Sequence, residues 1–205
     1  MAVRNPGKRL IEAAMTLAAA KPWPEIAYRE IAAQAGVPLA EAWAAAPGRQ
    51  AILAHLSHLA DREVLKEPAA LEDGDARDRV FDVLMRRFDA LRPYRCGLAS
   101  VARGLANDPG AALAGGRSLC RSMEAMLVAA GVSAEGCAGF LRSKGLVGVW
   151  LGTFRTFLKD ESEDLAPTMA ALDVQLRRAE RIMGWFGRRR KAPGPSEKPP
   201  EGEPA

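Results

Sequence analysis

Aromatic and β-branched residues are scarce in this chain. Only 6% of its 205 residues are aromatic, whereas alanine, leucine and arginine are abundant. Because β-branched and aromatic side chains favour strands, their scarcity excludes a large sheet. Alanine, leucine and arginine lose little conformational freedom in a helix. The composition therefore predicts an all-α protein.

Long apolar runs are also missing. The longest uncharged apolar stretch, residues 145–154, is about half of the roughly 20 residues that a membrane-spanning helix needs. The N-terminus has no basic region followed by the apolar run of a secretory signal, so we expect a cytoplasmic protein without a transmembrane segment. The three cysteines have neither CxxC nor metal-like spacing, and we expect free, mostly buried thiols. They are Cys96, Cys120 and Cys137.

The residue patterns of enzymes and metal sites are absent as well. The sequence contains no catalytic Ser/His/Asp order, glycine-rich phosphate loop or nucleotide fingerprint. Its two histidines, His55 and His58, share a helix face, but no third ligand accompanies them. Four carboxylates lie within residues 160–164, where we expect a solvated loop that caps the last helix. We therefore predict no catalytic activity, no bound metal and no cofactor.

The positive charge lies at the two ends of the chain. The net charge is +4 and the sequence pI is about 9.2. Residues 1–55 carry six Lys/Arg against four Asp/Glu, residues 56–186 carry eighteen of each, and residues 187–205 carry five against three. This excess permits a polyanionic partner such as nucleic acid.

Proline and glycine divide the first 66 residues into four helices. Apolar periodicity and these helix breakers predict helices at about 8–20, 28–35, 39–46 and 49–66. The second and third are short and are joined by a tight turn at Gly36. Two short helices joined in this way are typical of the helix-turn-helix, whose second helix enters a major groove about 12 Å wide.

The rest of the chain predicts a longer helical region followed by a tail. Further helices are predicted at about 77–91, 94–106, 109–130, 134–159 and 165–186. Asp108 and Ser133 are expected to cap two of them. Residues 188–205 are rich in proline, glycine and charge, which predicts a disordered tail.

Residues 28–53 resemble the DNA-binding domain of the tetracycline-repressor (TetR) family. The segment reads Y-R-E-I-A-A-Q-A-G-V-P-L-A-E-A-W-A-A-A-P-G-R-Q-A-I-L. It aligns without gaps on the family pattern, roughly T-V-R-D-I-A-x-x-A-G-V-S-x-G-x-L-Y-x-H-F-x-S-K-x-x-L. The best matches are Arg29–Ala32 and Ala35–Val37. The resemblance implies a bacterial protein with a helix-turn-helix DNA-binding domain at 8–55 and a helical regulatory and dimerisation domain at 56–187.

The resemblance also implies which residues contact double-stranded DNA. The third helix would read bases, and its candidate residues are Leu39, Glu41 and Trp43. It has no lysine or arginine, so the usual donor to guanine is missing, whereas Glu41 is able to accept from cytosine N4. The candidate phosphate contacts are Arg4, Lys8, Arg9, Arg29 and Arg49.

Apolar side chains of the larger domain predict where an effector binds. Methionine and aromatic residues on the predicted helices form a candidate pocket for a small apolar or lipid ligand. The pocket residues are Phe88, Leu98, Met123, Met126, Leu127 and Phe154.

Two features of the larger domain each have two interpretations. Gly145, Gly148 and Gly152 indicate either a close dimer contact or tight packing within the chain. The run Arg188–Lys191 follows Trp185 and Phe186 and indicates either contact with an anionic membrane surface or DNA phosphates, or a solvated helix end.

A second resemblance gives an alternative function. Residues 87–95 and the segment from Trp150 to Asp173 are also similar to the TetR-like lipid-binding accessory protein of ubiquinone biosynthesis, whose helix-turn-helix no longer reads DNA. We therefore expect a homodimeric, ligand-responsive transcriptional repressor, with the lipid-binding accessory role as the alternative.

Overall fold

The computed structural model describes residues 5–70 and 74–183, and within these ranges the chain forms helices and no β-strand. The α-helices, numbered in chain order, are α1 (Pro6–Ala20), α2 (Tyr28–Gln34), α3 (Leu39–Ala45), α4 (Arg49–Lys66), α5 (Ala76–Leu91), α6 (Arg95–Ala106), α7 (Pro109–Ala129), α8 (Gly136–Phe157) and α9 (Ala166–Met183). Single-turn 3-10 helices, Trp23–Glu25 and Arg92–Tyr94, precede α2 and α6. The all-α prediction is confirmed. The basic run at 188–191 and the predicted tail lie outside the described residues.

Local capping explains several helix ends. The Asn5 side chain accepts from Gly7 N at 3.0 Å, and the Asp108 side chain accepts from Ala111 N at 2.9 Å. Gly36 ends α2 with φ +60°, a conformation that glycine adopts without strain. These caps place the starts of α1 and α7 and the end of α2 close to their predicted positions.

The prediction that Ser133 caps α8 is wrong. The helix begins at Gly136, and Ser133 Oγ accepts only a 3.4 Å bond from Glu135 N. The residues before the helix fold back against its first turn. The backbone of Ala134 comes so close to Gly139 that a Cβ there would lie 2.0 Å from the Ala134 carbonyl carbon. The absence of a side chain at Gly139 gives the chain this space.

One buried apolar core runs through the whole described chain. We call α1–α3 with the first half of α4 the head, and α5–α9 the body. Helix α4 packs against α1 in the head and against α5 and α7 in the body. The predicted domain boundary between residues 55 and 56 falls inside this continuous helix.

Helix α6 contacts the head through small residues. A Cβ at Gly97 would lie 2.6 Å from the Met15 carbonyl oxygen of α1, so the two backbones approach closely here. One turn further along, Ser100 Oγ accepts from Trp23 N at 3.0 Å and donates to Lys21 O at 3.2 Å. Backbone contact and hydrogen bonding together fix the head against the body.

A buried ion pair joins α4 to the body. Arg87 Nε donates to Asp61 Oδ1 at 2.8 Å, and the side chains of the pair are 3% and 8% exposed. Arg87 Nη2 also donates to Ser57 Oγ and Ser122 Oγ, each at 2.8 Å. Its guanidinium lies 4.2 Å from the centre of the Trp150 ring. Burial lowers the pKa of Arg87, and the Asp61 carboxylate opposes this by stabilising the cation.

The acidic loop before α9 caps that helix, but it is not fully solvated as predicted. Asp160 is only 3% exposed, and its Oδ2 accepts from Thr168 N at 2.9 Å and from Thr168 Oγ1 at 2.5 Å. Burial raises the pKa of Asp160, but hydrogen bonds from Ser162 and Thr168 outweigh this and hold the pKa below its usual value. The other three carboxylates of the loop are exposed.

The glycines of α8 have different surroundings. A Cβ at Gly152 would lie 2.9 Å from the Gln175 side chain of α9, which supports tight packing within the chain at this position. Gly148 is exposed, and a Cβ there would meet nothing within 4 Å. No helix of the described ranges is long and apolar enough to cross a membrane.

Candidate nucleic-acid interface

The turn between α2 and α3 is held in place by side chains from outside it. Gly36 N donates to Ala33 O at 2.9 Å, and Arg9 of α1 donates from Nη2 to Gly36 O at 2.7 Å. At the other end of the pair, Tyr28 Oη donates to Ala46 O at 2.7 Å. Burial raises the pKa of Tyr28, so its phenol keeps the proton that it donates. The helix-turn-helix is therefore a rigid unit that presents α3.

Alanine residues define which face of α3 is outermost. Ala42 and Ala46 are 0% exposed and pack into the head. Because a helix turns by about 100° per residue, Ala40 and Ala44 lie within about 20° of the direction opposite Ala42. Both are exposed, and they form what we call the alanine ridge, residues 40 and 44 of α3.

The predicted base-contacting residues lie on the two flanks of the alanine ridge. Leu39 and Trp43 are 55% and 57% exposed and share one flank. Trp43 makes an edge-to-face contact with Tyr28, with ring centres 5.5 Å apart. Glu41 is exposed on the opposite flank and is the one charged residue of α3. The outer surface of α3 is therefore apolar on its ridge and on one flank, and acidic on the other.

The predicted phosphate contacts have different surroundings. Arg29 and Lys8 are exposed on α2 and α1. Arg9 is half-buried and bonded to the turn, as described above. Arg49 Nη1 donates to the carbonyl oxygens of Trp23 at 2.8 Å and Ile26 at 3.1 Å, and its guanidinium lies 5.4 Å from the Trp23 ring centre. The structure thus uses Arg9 and Arg49 to brace the head, and Arg4 lies outside the described residues.

Sequence reasoning did not identify the alanine ridge as the outermost surface. An alanine fits equally well in a core or on a surface, so the composition of α3 did not predict which of its faces is buried. The pair Ala42 and Ala46, at i and i+4, is the pattern that distinguishes the buried face once the structure is known.

The two histidines line an open cleft that also reaches Ala45 at the end of α3. This cleft, of about 460 Å³, lies between the first turn of α1 and the middle of α4, and Lys8, His55, His58 and Arg62 line it. Within the described residues, no group of three His, Cys, Asp or Glu side chains is arranged to hold a metal ion. Of the cysteines, Cys96 and Cys137 are exposed, so the prediction of mostly buried thiols is wrong.

The candidate effector residues lie together in or against the body core. Met123, Met126, Leu127 and Phe88 are each 0% exposed, and Leu98 and Phe154 pack against this core while half-buried. Phe88 stacks on Trp150 with ring centres 4.1 Å apart and an angle of 7° between the planes. Phe88, Phe154 and the three residues of α7 belong to the packed interior between α5, α7 and α8, whereas Leu98 lies on α6.

Comparison with known proteins identifies the fold. No protein-family model matches the chain, and no curated protein sequence does. The structure is similar to a TetR transcriptional regulator from Nitrosomonas europaea ATCC 19718, with a TM-score of 0.66 and 23% identity over 85% of this chain and 98% of that one. A TetR transcriptional regulator from Rhodococcus sp. RHA1 gives a TM-score of 0.56 and 21% identity over 84% and 96%. The predicted TetR-like fold is confirmed.

Proposed function

We propose that this chain, which has the fold of TetR transcriptional regulators, is itself a DNA-binding transcriptional regulator. The observation that carries the proposal is the braced helix-turn-helix, which presents the outer face of α3 to solvent. A helix held clear of its neighbours in this way fits a major groove. The two structural neighbours named above are transcriptional regulators, and the comparisons do not favour the lipid-binding accessory role.

The proposed DNA contacts follow the exposure of the head residues. Leu39, Glu41 and Trp43, with the alanine ridge between them, face the bases. Arg29 and Lys8 are exposed cations that supply the phosphate contacts. Arg9 and Arg49 support binding by holding the head in shape, since their guanidinium groups are bonded to backbone carbonyls.

We propose that the protein acts as a homodimer on a palindromic site. Helices α8 and α9 pack against each other and leave Leu151 and Val174 50% and 46% exposed. An apolar surface of this kind on a helix pair suits a second copy of the chain, as the fold predicts. Light scattering on the purified chain is expected to give a mass of about 44 kDa, twice the 22.0 kDa of one chain. A mass of one chain at micromolar concentration would contradict this part of the proposal.

The proposed regulation is repression released by a small apolar or lipid effector in the body. The effector would bind among the six candidate pocket residues by displacing side chains that fill the core. The two buried methionines suit such a change because their side chains adapt readily. The buried pair of Arg87 and Asp61 links this region to α4, which continues into the head. A ligand that favours another packing of α5 and α7 would thereby shift the population of head orientations away from the DNA-competent one. No catalytic step is part of this function.

Selective retention of genomic DNA fragments tests the proposed function. The wild-type protein is expected to retain specific fragments up to about 0.15 M salt. Ala44→Glu places a carboxylate on the exposed alanine ridge and is expected to weaken retention more than tenfold, because it repels phosphate. Ala114→Glu, at an exposed alanine of α7, is the matched control and should bind as the wild type does. Uniform loss of all fragments as salt rises, with no selectivity, would refute the function.

A further inference from the structure

The outer face of α3 offers few of the groups that read base edges. Its exposed side chains are Leu39, Ala40, Glu41, Trp43 and Ala44. Recognition of guanine in the major groove relies on arginine or lysine, and recognition of adenine relies on asparagine or glutamine. None of these four residue types occurs between Leu39 and Ala45. The side chains of this helix therefore do not supply the usual hydrogen-bond partners of purine bases.

Pyrimidine edges match the chemistry that remains. In the major groove, thymine presents a 5-methyl group, and cytosine presents an N4 amino donor. The alanine ridge and the flank of Leu39 and Trp43 offer apolar contact to a methyl group. Glu41, on the other flank, offers a carboxylate acceptor to the cytosine amino group.

The shape of α3 supports the same pairing. The side chain of alanine is a single methyl group, so a ridge made of Ala40 and Ala44 lets the helix approach the floor of the groove closely. The brace at Gly36 and the bond from Tyr28 to Ala46 hold α3 in one orientation, so the ridge and its two flanks keep fixed positions.

We infer that α3 reads its DNA site mainly through thymine methyl groups, with Glu41 selecting cytosine at one flanking position. This inference rests on the proposed function, since it specifies the DNA that the same site recognises. Phosphate contacts from Lys8 and Arg29 then set the position of the head on the duplex, while the sequence preference comes from pyrimidines.

Base analogues in the recovered genomic fragment test the inference. The fragment is resynthesised with uracil in place of thymine, which removes only the 5-methyl group, or with 7-deazaguanine in place of guanine, which removes the N7 acceptor. Each contacted methyl group is expected to contribute about fourfold to affinity. Full uracil substitution of both half-sites should therefore weaken binding tenfold or more, and 7-deazaguanine should leave it within twofold.

The outcomes separate this inference from the proposed function. A selective fragment that binds equally well with uracil, or that is weakened more by 7-deazaguanine, overturns the inference and leaves the regulator function intact. If no selective fragment is retained, the proposed function fails and the inference fails with it; the apolar face of α3 would then have another partner.

Glu41 has its own test on the same fragment. Glu41→Gln removes a negative charge close to the phosphates and supplies an amide, so binding to unrelated DNA should strengthen by severalfold. Discrimination between cytosine and adenine at the flanking position should fall about tenfold, because the amide oxygen still accepts from cytosine N4 while the amide also pairs with adenine N6 and N7. Glu124→Gln makes the same change of charge at an exposed position of α7 and should alter neither property. Unchanged discrimination in Glu41→Gln contradicts the assigned role of Glu41.

Discussion

Replacing Gly97 with alanine is expected to loosen the contact between α1 and α6. The added Cβ would lie 2.6 Å from the Met15 carbonyl oxygen and 3.0 Å from its Cα, whereas ordinary contacts begin near 3.4 Å. Both atoms belong to backbone, so a side-chain rotation cannot relieve the clash. The two helices must therefore move apart by about 0.8 Å at this point.

Two opposing terms set the size of the effect. Overpacking that forces side chains and backbone to shift usually costs about 1–3 kcal/mol of unfolding free energy. Alanine is better than glycine in a helix interior by about 1 kcal/mol. The net expectation is a loss of up to about 2 kcal/mol, which lowers the Tm by up to about 8 °C in a chain of this length.

The same substitution at Gly116 is the matched control. Gly116 lies within α7, and a Cβ there would meet nothing within 4 Å. Gly116→Ala should therefore gain about 1 kcal/mol and raise the Tm by about 2–4 °C. Thermal unfolding followed by circular dichroism compares the two variants with the wild type. A rise in Tm for Gly97→Ala equal to that of Gly116→Ala would refute the close approach of α1 and α6.

Three further substitutions test the internal bonds of the fold. Arg87→Met leaves the Asp61 carboxylate buried without its partner, so the free energy of unfolding in urea should fall by about 3–5 kcal/mol. Adding Asp61→Leu should recover most of this loss. An additive loss in the double variant would contradict the pairing. Asp160→Asn should cost about 1–3 kcal/mol at pH 7. Hydrogen bonds lower the folded pKa of Asp160, so its contribution to the unfolding free energy is complete above the unfolded pKa of about 3.9 and is lost at lower pH. The difference in unfolding free energy between Asp160→Asn and the wild type should therefore shrink below about pH 4. A difference that stays constant with pH would contradict this cause. Arg49→Lys should cost about 1 kcal/mol, because a single ammonium replaces a guanidinium that is bonded to several carbonyls. Arg29 is exposed, so Arg29→Lys should change the free energy of unfolding by less than about 0.5 kcal/mol. Equal effects at the two positions would contradict a stabilising role for the hydrogen bonds of Arg49.

Helix ends were predictable from the sequence because their causes are local. Asp108 and Gly36 act on backbone groups within a few residues, so proline, glycine and capping residues placed these ends well. Ser133 failed as a cap because the start of α8 depends on Gly139, whose missing side chain leaves room for the returning chain. Six residues separate the two, and local propensity does not include such packing.

The chemistry of the head was harder to predict, because it depends on distant partners. Arg49 reads in the sequence as an exposed cation beside the helix-turn-helix, but its hydrogen-bond acceptors lie 23 to 26 residues earlier in the chain. In the body, Arg87 also depends on a distant residue, because its partner Asp61 lies 26 residues away on α4. The alanines of α3 likewise did not show which face of the helix is buried, and the burial of Ala42 in the structure identifies that face.

Footprinting on a retained fragment is the most direct test of the central claim, that α3 enters the major groove of DNA. At about 0.15 M salt, the wild-type protein should protect two segments related by two-fold symmetry, with centres one helical turn of about 34–36 Å or a multiple of it apart. Ala44→Glu should abolish the protection, and Ala114→Glu should preserve it. Absence of a footprint for the wild type, or a footprint that Ala44→Glu leaves unchanged, would contradict the claim.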